Sequence, residues 1–248
     1  AQLAMTAMRR VLGNDHPETL TSIDTMGDVR SAQGKYAAAE ALYREALAGR
    51  RRVLGKQHPQ TLQSIANVGR SLFNQTRYKA ATPYAREALA LRRRVLGNTH
   101  PDTLESIRDM STTYWSSGKF AEAVKFGQEA LQRSRTVWGD RHPDTLGTAD
   151  NLTVMLVEAG RLQDAETLVK NTLEIERELY GDDNQKRLQS LAVLGSVLHE
   201  QGRLAEAESA LRQSYEGMRR TLGDDHKDTL EIGGGVANIL REQGKPDQ

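Results

Sequence analysis

The segment LGKQHPQTL at residues 54–62 decides the fold, because five further versions of it stand in the chain. The six versions start at residues 12, 54, 96, 138, 180 and 222, so they recur every 42 residues without an insertion. A fixed period of this length is typical of solenoid proteins, in which each repeat packs only on its neighbours. The sequence therefore predicts a solenoid.

Each period contains the signals of two helices joined by a tight turn. Pro17 suits the first position of a helix, where its missing N–H costs nothing. Apolar and small residues then follow at helical spacing, and Gly34 suits a left-handed cap at the end of this helix. A second helical pattern starts at Tyr36 and runs to about residue 54, where Gly55 ends it. We call the first helix of each period the A helix and the second the B helix.

One turn departs from this pattern. Thr76 stands where most other repeats have the turn glycine, as at Gly34 and Gly118. Because a side chain with a branched Cβ disfavours the left-handed region, we expect this turn to use a different backbone geometry.

Small residues recur at fixed positions of both helices, where they let the two backbones approach closely. They stand in the A helices at Gly27, Gly69, Ser111, Thr153, Gly195 and Ala237, and in the B helices at Ala39, Ala81, Ala123, Ala165 and Ala207. A 42-residue period also suits HEAT and armadillo repeats, but this small-residue pattern resembles a tetratricopeptide repeat (TPR) array. The added His-Pro segment resembles the 42-residue subtype of kinesin light chains and many bacterial signalling proteins. The resemblance implies an all-α, right-handed superhelical solenoid of stacked antiparallel helix pairs.

Both ends of the sequence fall inside a repeat. Residues 1–13 match the end of a B helix and residues 227–248 match an A helix. Whole repeats start near residues 17, 59, 101, 143 and 185. Solenoids normally end in a polar capping helix, and no such helix is evident. We therefore expect one solenoid over residues 1–248 that is a fragment of a longer protein.

Composition excludes several classes of function. The chain of 248 residues has no cysteine, which excludes disulfides, thiolate metal sites and cysteine nucleophiles. No apolar run approaches the roughly 18 residues of a membrane span, and no leader opens the chain, so we expect a cytoplasmic protein without membrane contact. The net charge of +1 gives no argument for nucleic acid, and the basic residues do not share one face with aromatic residues.

The charge is uneven along the chain. Residues 1–124 contain 18 basic and 11 acidic residues, whereas residues 125–248 contain 16 and 22. This asymmetry fits ordinary variation between exposed helix faces. It also fits an elongated molecule with opposite ends that stacks head to tail. The triplets Arg50-Arg51-Arg52 and Arg92-Arg93-Arg94 are open to two interpretations as well: favourable charge at helix C-termini, or a ridge for an anionic ligand.

The sequence shows no catalytic or cofactor motif. Five of the six histidines occupy the same position of the repeated segment, at His16, His58, His100, His142 and His226. Equivalent atoms of stacked repeats lie on the order of 10 Å apart, whereas zinc ligands lie about 2 Å from the metal. We therefore expect these histidines to cap or pack on the following helix. We expect no metal, no cofactor and no enzymatic activity.

In TPR arrays, the A helices line a concave groove that holds an extended peptide, and an asparagine of the A helix commonly binds the peptide backbone. The resemblance places Thr25, Asn67, Asp109, Asn151, Val193 and Gly235 at this position. Only Asn67 and Asn151 keep the amide, which can donate and accept together, whereas an ionised Asp109 only accepts. The predicted groove residues are Asn67, Arg70, Phe73, Asn74, Asp109, Thr112, Trp115, Asn151, Glu158 and His199.

Within this groove we expect Phe73 and Trp115 to anchor a ligand and Arg70 to pair with an acidic ligand side chain. Two structural alternatives stay open: the aromatic residues pack between A helices, and the asparagines form hydrogen bonds between repeats. The sequence thus predicts a module that binds a protein or peptide partner. The alternative is a structural or self-associating scaffold within a larger protein, such as a bacterial signalling protein, that contacts its own effector domain or a second copy.

Overall fold

The computed structural model describes residues 2–245, and within these residues the chain forms twelve α-helices and no β-strand. The B helices are α1 (Gln2–Leu12), α3 (Tyr36–Val53), α5 (Tyr78–Leu96), α7 (Phe120–Trp138), α9 (Leu162–Tyr180) and α11 (Leu204–Leu222). The A helices are α2 (Pro17–Ala32), α4 (Pro59–Asn74), α6 (Pro101–Ser116), α8 (Pro143–Glu158), α10 (Gln185–Glu200) and α12 (Lys227–Glu242). The predicted all-α fold of repeated helix pairs is confirmed.

The chain divides into two compact units, an N-terminal unit of residues 1–133 and a C-terminal unit of residues 134–248. Within the units, consecutive helices pack on one another from α1 to α6 and from α8 to α12. This nearest-neighbour packing is the expected arrangement of a solenoid. A single continuous solenoid over residues 1–248 stays a prediction.

Each A helix is capped by the residue that precedes it. His100 Nδ1 accepts a hydrogen bond from the backbone N–H of Asp102 at 3.1 Å, and His16, His58, His142 and His226 make the same contact. In the fifth repeat, Asn184 Oδ1 takes this place and accepts from the Lys186 N–H at 3.0 Å. The expected capping role of the histidines is confirmed, because each satisfies an N–H that has no partner inside the helix.

The turn at Thr76 corrects the sequence-based expectation. Thr76 has φ = 59°, in the same left-handed region as Gly118 with φ = 72°. Its N–H donates to the Phe73 carbonyl at 2.8 Å, and the next N–H, of Arg77, donates to the Leu72 carbonyl at 3.0 Å. The same two hydrogen bonds end the helix before Gly118. The backbone hydrogen bonds therefore fix the geometry, and the threonine adopts it against its own preference.

The small residues of the A helices lie where the two helices of a repeat meet. A Cβ atom on Gly27 would stand 2.5 Å from the Tyr43 ring, and one on Gly195 would stand 2.6 Å from the Leu211 side chain. Both distances are too short for real contacts. The glycines are therefore required for the close packing of α2 on α3 and of α10 on α11.

We expect His100→Ala to lower the free energy of unfolding by about 1 kcal/mol, because the first turn of α6 loses its side-chain cap. His100→Asn should preserve stability, because Asn184 supplies the same cap in another repeat. Urea unfolding followed by circular dichroism measures both changes. Equal stability of the wild type and His100→Ala would contradict the capping role.

We expect Thr76→Gly to raise the free energy of unfolding by about 1 kcal/mol, because glycine adopts the left-handed region without a Cβ penalty. The reciprocal change, Gly118→Thr, should lower it by a similar amount. Thermal unfolding of both variants beside the wild type provides the measurement. A destabilised Thr76→Gly protein would show that the threonine side chain contributes more than its backbone strain costs.

Candidate functional site

Two buried arginines organise the interior of the N-terminal unit. Arg50, at the end of α3, donates to the Asp24 carboxylate at 3.0 Å, to Ser64 Oγ at 2.7 Å and to the Gln60 carbonyl at 3.2 Å. Burial raises the pKa of Asp24, although the neighbouring Arg50 charge acts in the opposite direction. A buried charge requires such partners, because desolvation would otherwise dominate its energy.

Arg92 occupies the same place one repeat later, and its side chain is fully buried. Its guanidinium donates to the Asp102 carbonyl at 2.8 Å, to Ser106 Oγ at 2.9 Å and to Glu105 at 3.2 Å. It also donates to Gln63 Oε1 at 2.8 Å, which connects α5 to α4. The repeat period thus reproduces a buried guanidinium site.

A closed ring of side chains follows from these contacts. Gln63 Nε2 donates to Asn67 Oδ1 at 2.9 Å, and Arg70 donates to the same oxygen at 2.8 Å. Arg70 also forms an ion pair with Glu105, which pairs with Arg92, which in turn contacts Gln63. The ring joins α4, α5 and α6. Contacts with Asn67 and Glu105 hold the partly exposed Arg70 side chain in one orientation.

The second arginine of each triplet forms an ion pair between successive B helices. Arg51 pairs with Glu87 at 2.7 Å, and Arg93 pairs with Glu129 at 2.6 Å. Arg9 pairs with Glu45 at 2.8 Å in the same way. We call these three ion pairs the B-helix ladder. The first arginine of each triplet is buried, so the interpretation as a ridge for an anionic ligand is wrong for Arg50 and Arg92. At Arg51 and Arg93 an anionic ligand would have to compete with a glutamate.

A small pocket of about 80 Å³ lies between α4, α5 and α6. Ala66, Phe73 and Ala85 form part of its apolar wall, and Arg70 and Asp109 contribute the charged groups. Phe73 packs against the Tyr78 ring with centroids 5.3 Å apart. Tyr78 therefore helps to hold the Phe73 ring in the wall of the pocket.

A larger and more polar pocket of about 440 Å³ lies between α2, α3 and α4. Its lining includes Asp28, Tyr43, Asn67, Arg70 and Asn74. The Tyr43 hydroxyl donates to the Asp28 carboxylate at 2.8 Å. Because Arg70 lines this pocket as well as the small one, the two pockets are neighbours on the A-helix face.

Asp109, which lines the small pocket, has a shifted pKa. Burial raises its pKa to about 6, the charges of Arg70, Arg92 and Arg108 lower it, and that of Glu105 raises it further. Within the N-terminal unit, no described residue donates a hydrogen bond to its carboxylate. Asp109 is therefore an acceptor that opens on the small pocket without an internal partner.

The C-terminal unit has a different polar interior. Glu176 on α9 occupies the place of Arg50 and Arg92, and it is fully buried. Neither carboxyl oxygen has a hydrogen-bond partner among the described residues. Burial raises the pKa of Glu176 and the Asp150 charge adds to this rise, whereas the Ser190 hydroxyl and the charges of Lys186 and Arg187 act in the opposite direction. Met218 stands at the equivalent place of the following repeat.

The A-helix face of the C-terminal unit has an open pocket of about 430 Å³. Gln189, Val193, Asp228 and Glu231 line part of it. Lys186 Nζ on α10 lies 3.8 Å from Asp150 Oδ2 on α8, so this ion pair joins two A helices of the unit.

The sequence profile described as tetratricopeptide repeat matches residues 1–52, 25–93, 62–136, 144–220 and 192–248, which together span nearly the whole chain. The chain belongs to the tetratricopeptide repeat family. The predicted family is thus confirmed, and TPR folds are scaffolds for interactions between proteins. No curated protein matches the sequence significantly.

Solved structures support the same TPR fold. Nearly identical TPR-like repeats of a putative kinesin light chain from Podosopora anserina match with a TM-score of 0.78 and 22% identity, over 84% of this chain and 98% of that one. BtubC (BKLC) from P. vanneervenii matches with a TM-score of 0.75 and 21% identity, over 91% and 90%. The Rap conjugation gene regulator of plasmid pLS20, in complex with the Phr* peptide, matches with a TM-score of 0.56 and 15% identity, over 89% and 61%.

Among residues 2–245, no helix is long and apolar enough to cross a lipid bilayer. The same part of the TPR chain contains no group of three or more histidine, aspartate or glutamate side chains that could hold a metal ion.

The predicted groove residues of the N-terminal unit fall into two groups. Arg70, Phe73, Asp109 and Thr112 line the small pocket, and Asn67, Arg70 and Asn74 line the larger one. Asn67 is only 6% exposed, and its Nδ2 donates to Asp24 at 3.4 Å. The Asn67 amide oxygen and nitrogen therefore both have partners inside the chain. The contact with Asp24 is a hydrogen bond between repeats, the structural alternative that the sequence analysis left open for the asparagines.

Trp115 lies outside both groups. It is half-buried on α6, and its Nε1 has no hydrogen-bond partner among the described residues. In the C-terminal unit, Asn151 and Glu158 are exposed on α8. His199 contacts the Glu242 carboxylate at 2.9 Å. A role of these residues in binding stays a prediction.

Sequence reasoning missed the buried charges at Asp24, Arg50, Arg92 and Glu176. One signal was present: one position of the repeat is occupied in turn by Met8, Arg50, Arg92, Ser134, Glu176 and Met218. Methionine at both ends of this series indicates a buried position, because methionine is typical of cores.

We expect Glu176→Met to raise the free energy of unfolding by about 1–2 kcal/mol at pH 8, because the variant removes an unpaired buried acid. The gain should be smaller at pH 5. The folded carboxyl, with its raised pKa, holds a proton more tightly than the unfolded one, so stability falls as pH rises until the folded carboxyl ionises.

Urea unfolding at both pH values measures this difference. Glu174→Met is the matched control on the same helix, because Glu174 is exposed and its change should be small at both values. A gain that is the same at pH 5 and pH 8 would contradict the proton uptake at Glu176.

Proposed function

We propose that the A-helix face of this TPR chain binds a peptide segment of a partner protein, and that the chain acts by binding without chemistry of its own. The observation that carries the proposal is the pair of neighbouring pockets that share Arg70. One pocket has an apolar wall and the other is polar, so successive side chains of an extended peptide would meet different surroundings. This alternation is how grooves select peptide sequences.

The charges on the two sides of the repeats support this choice of face. On the B helices, the ladder arginines Arg51 and Arg93 already have carboxylate partners. On the A-helix face, the carboxylate of Asp109 receives no hydrogen bond from the described residues of the N-terminal unit, and Asn74 is exposed. Groups that lack internal partners can bond a ligand without breaking a contact of the free protein, which lowers the cost of binding.

The similar Rap regulator is a protein whose structure contains a bound Phr* peptide. This likeness supports a peptide as the ligand of this chain. The proposed binding residues rest on the pockets of this chain alone. The proposal extends to the predicted residues Asn151, Glu158 and His199 on the A helices of the C-terminal unit. The predicted cytoplasmic location and the scaffold alternative stay predictions.

We expect Ala32→Trp to weaken peptide binding by about tenfold, because the indole would occupy the larger pocket that Ala32 lines. Ala32 is exposed on α2, so the substitution breaks no internal contact. Peptides are first selected from a random displayed library with the wild-type protein. Their affinities for the wild type and the variant are then compared by fluorescence anisotropy.

Ala48→Trp is the matched control, since Ala48 is an exposed alanine on α3 that lines neither pocket of the N-terminal unit. It should bind the selected peptides as the wild type does. Equal affinity for the wild type and Ala32→Trp would place binding elsewhere. A library that yields no peptide would refute the peptide-binding proposal, and light scattering over a concentration series would then test self-association.

A further inference from the structure

The small pocket between α4, α5 and α6 combines apolar walls with one group that only donates and one that only accepts. Arg70 is the donor, because a guanidinium has no acceptor, and the ionised carboxylate of Asp109 is the acceptor. Phe73 and two alanines of α5, Ala85 and Ala88, form the apolar wall. A ligand group in this pocket therefore meets opposite hydrogen-bonding partners.

The donor is held in place by the ring described above. One terminal nitrogen of Arg70 donates to Asn67 Oδ1, and the other pairs with Glu105. Each terminal nitrogen carries two hydrogens, so the guanidinium keeps donors beyond those used in the ring. Arg70 thus offers N–H groups in a fixed orientation.

On the other side of the pocket, Asp109 and Thr112 present only hydrogen-bond acceptors to a ligand. No described residue of the N-terminal unit donates a hydrogen bond to the Asp109 carboxylate, which lines the pocket. Thr112, its neighbour in the lining, already donates its hydroxyl hydrogen to the Arg108 carbonyl at 3.0 Å. The Thr112 oxygen therefore accepts from a ligand, as Asp109 does.

Size and charge restrict the ligand group further. The pocket volume of about 80 Å³ exceeds the roughly 10–15 Å³ that one buried water molecule requires. It therefore has room for a small group of several non-hydrogen atoms. A cation would face Arg70 and an anion would face Asp109, so the pocket favours a neutral group that both donates and accepts.

We propose that this pocket binds a primary carboxamide, the side-chain group of a glutamine or asparagine on the partner peptide. The carboxamide NH₂ donates to Asp109 and to the Thr112 oxygen, and the carboxamide oxygen accepts from Arg70. The methylene groups that carry it lie against Phe73 and the two alanines. This inference rests on the proposed peptide binding and specifies one side chain of the ligand.

Three small probes of nearly equal size test the proposal: propionamide, sodium propionate and n-propylammonium chloride. Each is titrated at equal ionic strength and pH 7.5, where Asp109 is ionised. Amide chemical shifts of the ¹⁵N-labelled protein report the binding. We expect propionamide to give saturable shifts confined to the pocket lining, and both charged probes to bind about tenfold more weakly, because each loses one charge-assisted hydrogen bond.

Two variants at the acceptor make the test independent of a folding defect. Asp109→Leu should abolish propionamide binding, whereas Asp164→Leu, at an exposed aspartate of α9 that lines neither pocket of the N-terminal unit, should leave it unchanged. Asp109→Asn removes the negative charge, so the preference for propionamide over propionate should fall at least threefold. This ratio is measured on one folded protein and does not depend on stability.

The proposal fails if the three probes bind equally, if n-propylammonium or propionate binds most tightly, or if Asp109→Leu retains the propionamide shifts. These probes require no partner peptide, so the result is separate from that of the library selection. Selected peptides that bind the wild type and lose affinity for Ala32→Trp, together with equal binding of the probes, would refute the carboxamide site alone. Specific propionamide binding without selected peptides would refute the peptide-binding proposal alone.

Discussion

A guanidinium group removed from water requires hydrogen-bond acceptors, and the N-terminal unit is arranged around two such groups. Arg50 and Arg92 end successive B helices and reach into the next A helix, where carbonyl, hydroxyl and carboxylate oxygens surround them. These contacts tie the end of each of the two B helices to the A helix that follows it. The position of Arg70 follows from the same requirement, since Arg70 and Arg92 share the carboxylate of Glu105.

The site is therefore built from the residues that hold the repeats together. Arg70 belongs to the ring and also lines both pockets, so a ligand that contacts it would act on a side chain whose orientation is already fixed. Such preorganisation reduces the ordering cost of binding. The site has a cost in stability at Asp109, because burial of this carboxylate raises its pKa to about 6. An acid in this environment destabilises the free protein and becomes useful when a donor reaches it.

Local signals in the sequence were sufficient for the helices. The A helices start at Pro17, Pro59, Pro101 and Pro143, as predicted, because a cap and a proline act within a few residues of each other. Thr76 was predicted wrongly, because the hydrogen bonds of the turn outweigh the preference of one side chain. The polar interior was not predictable in the same way. Arg50 and Arg51 are adjacent in sequence, and only the packing of the next repeat decides which of them is buried.

The candidate site shows the same division. Arg70, Phe73, Asp109 and Thr112 were predicted to lie on one surface, and they line one pocket, because the helical period and the 42-residue repeat fix which residues face together. Their role in binding stays a prediction. The sequence could not distinguish Asn67, whose amide is used inside the chain, from Asp109, whose carboxylate is not. That difference depends on partners contributed by Gln63 on the same helix and Asp24 on the preceding A helix.

The B-helix ladder has a consequence for how such a chain can change in length. Each of its ion pairs joins an arginine to a glutamate 36 residues later, at Arg9–Glu45, Arg51–Glu87 and Arg93–Glu129. A duplicated segment of 42 residues from this region would bring its own arginine and glutamate, and would reproduce the pairing at both new junctions. The C-terminal unit has Asn171 and Gln213 at the glutamate position. Growth by duplication is therefore compatible with the ladder in the N-terminal unit, whereas a copy from the C-terminal unit would interrupt it.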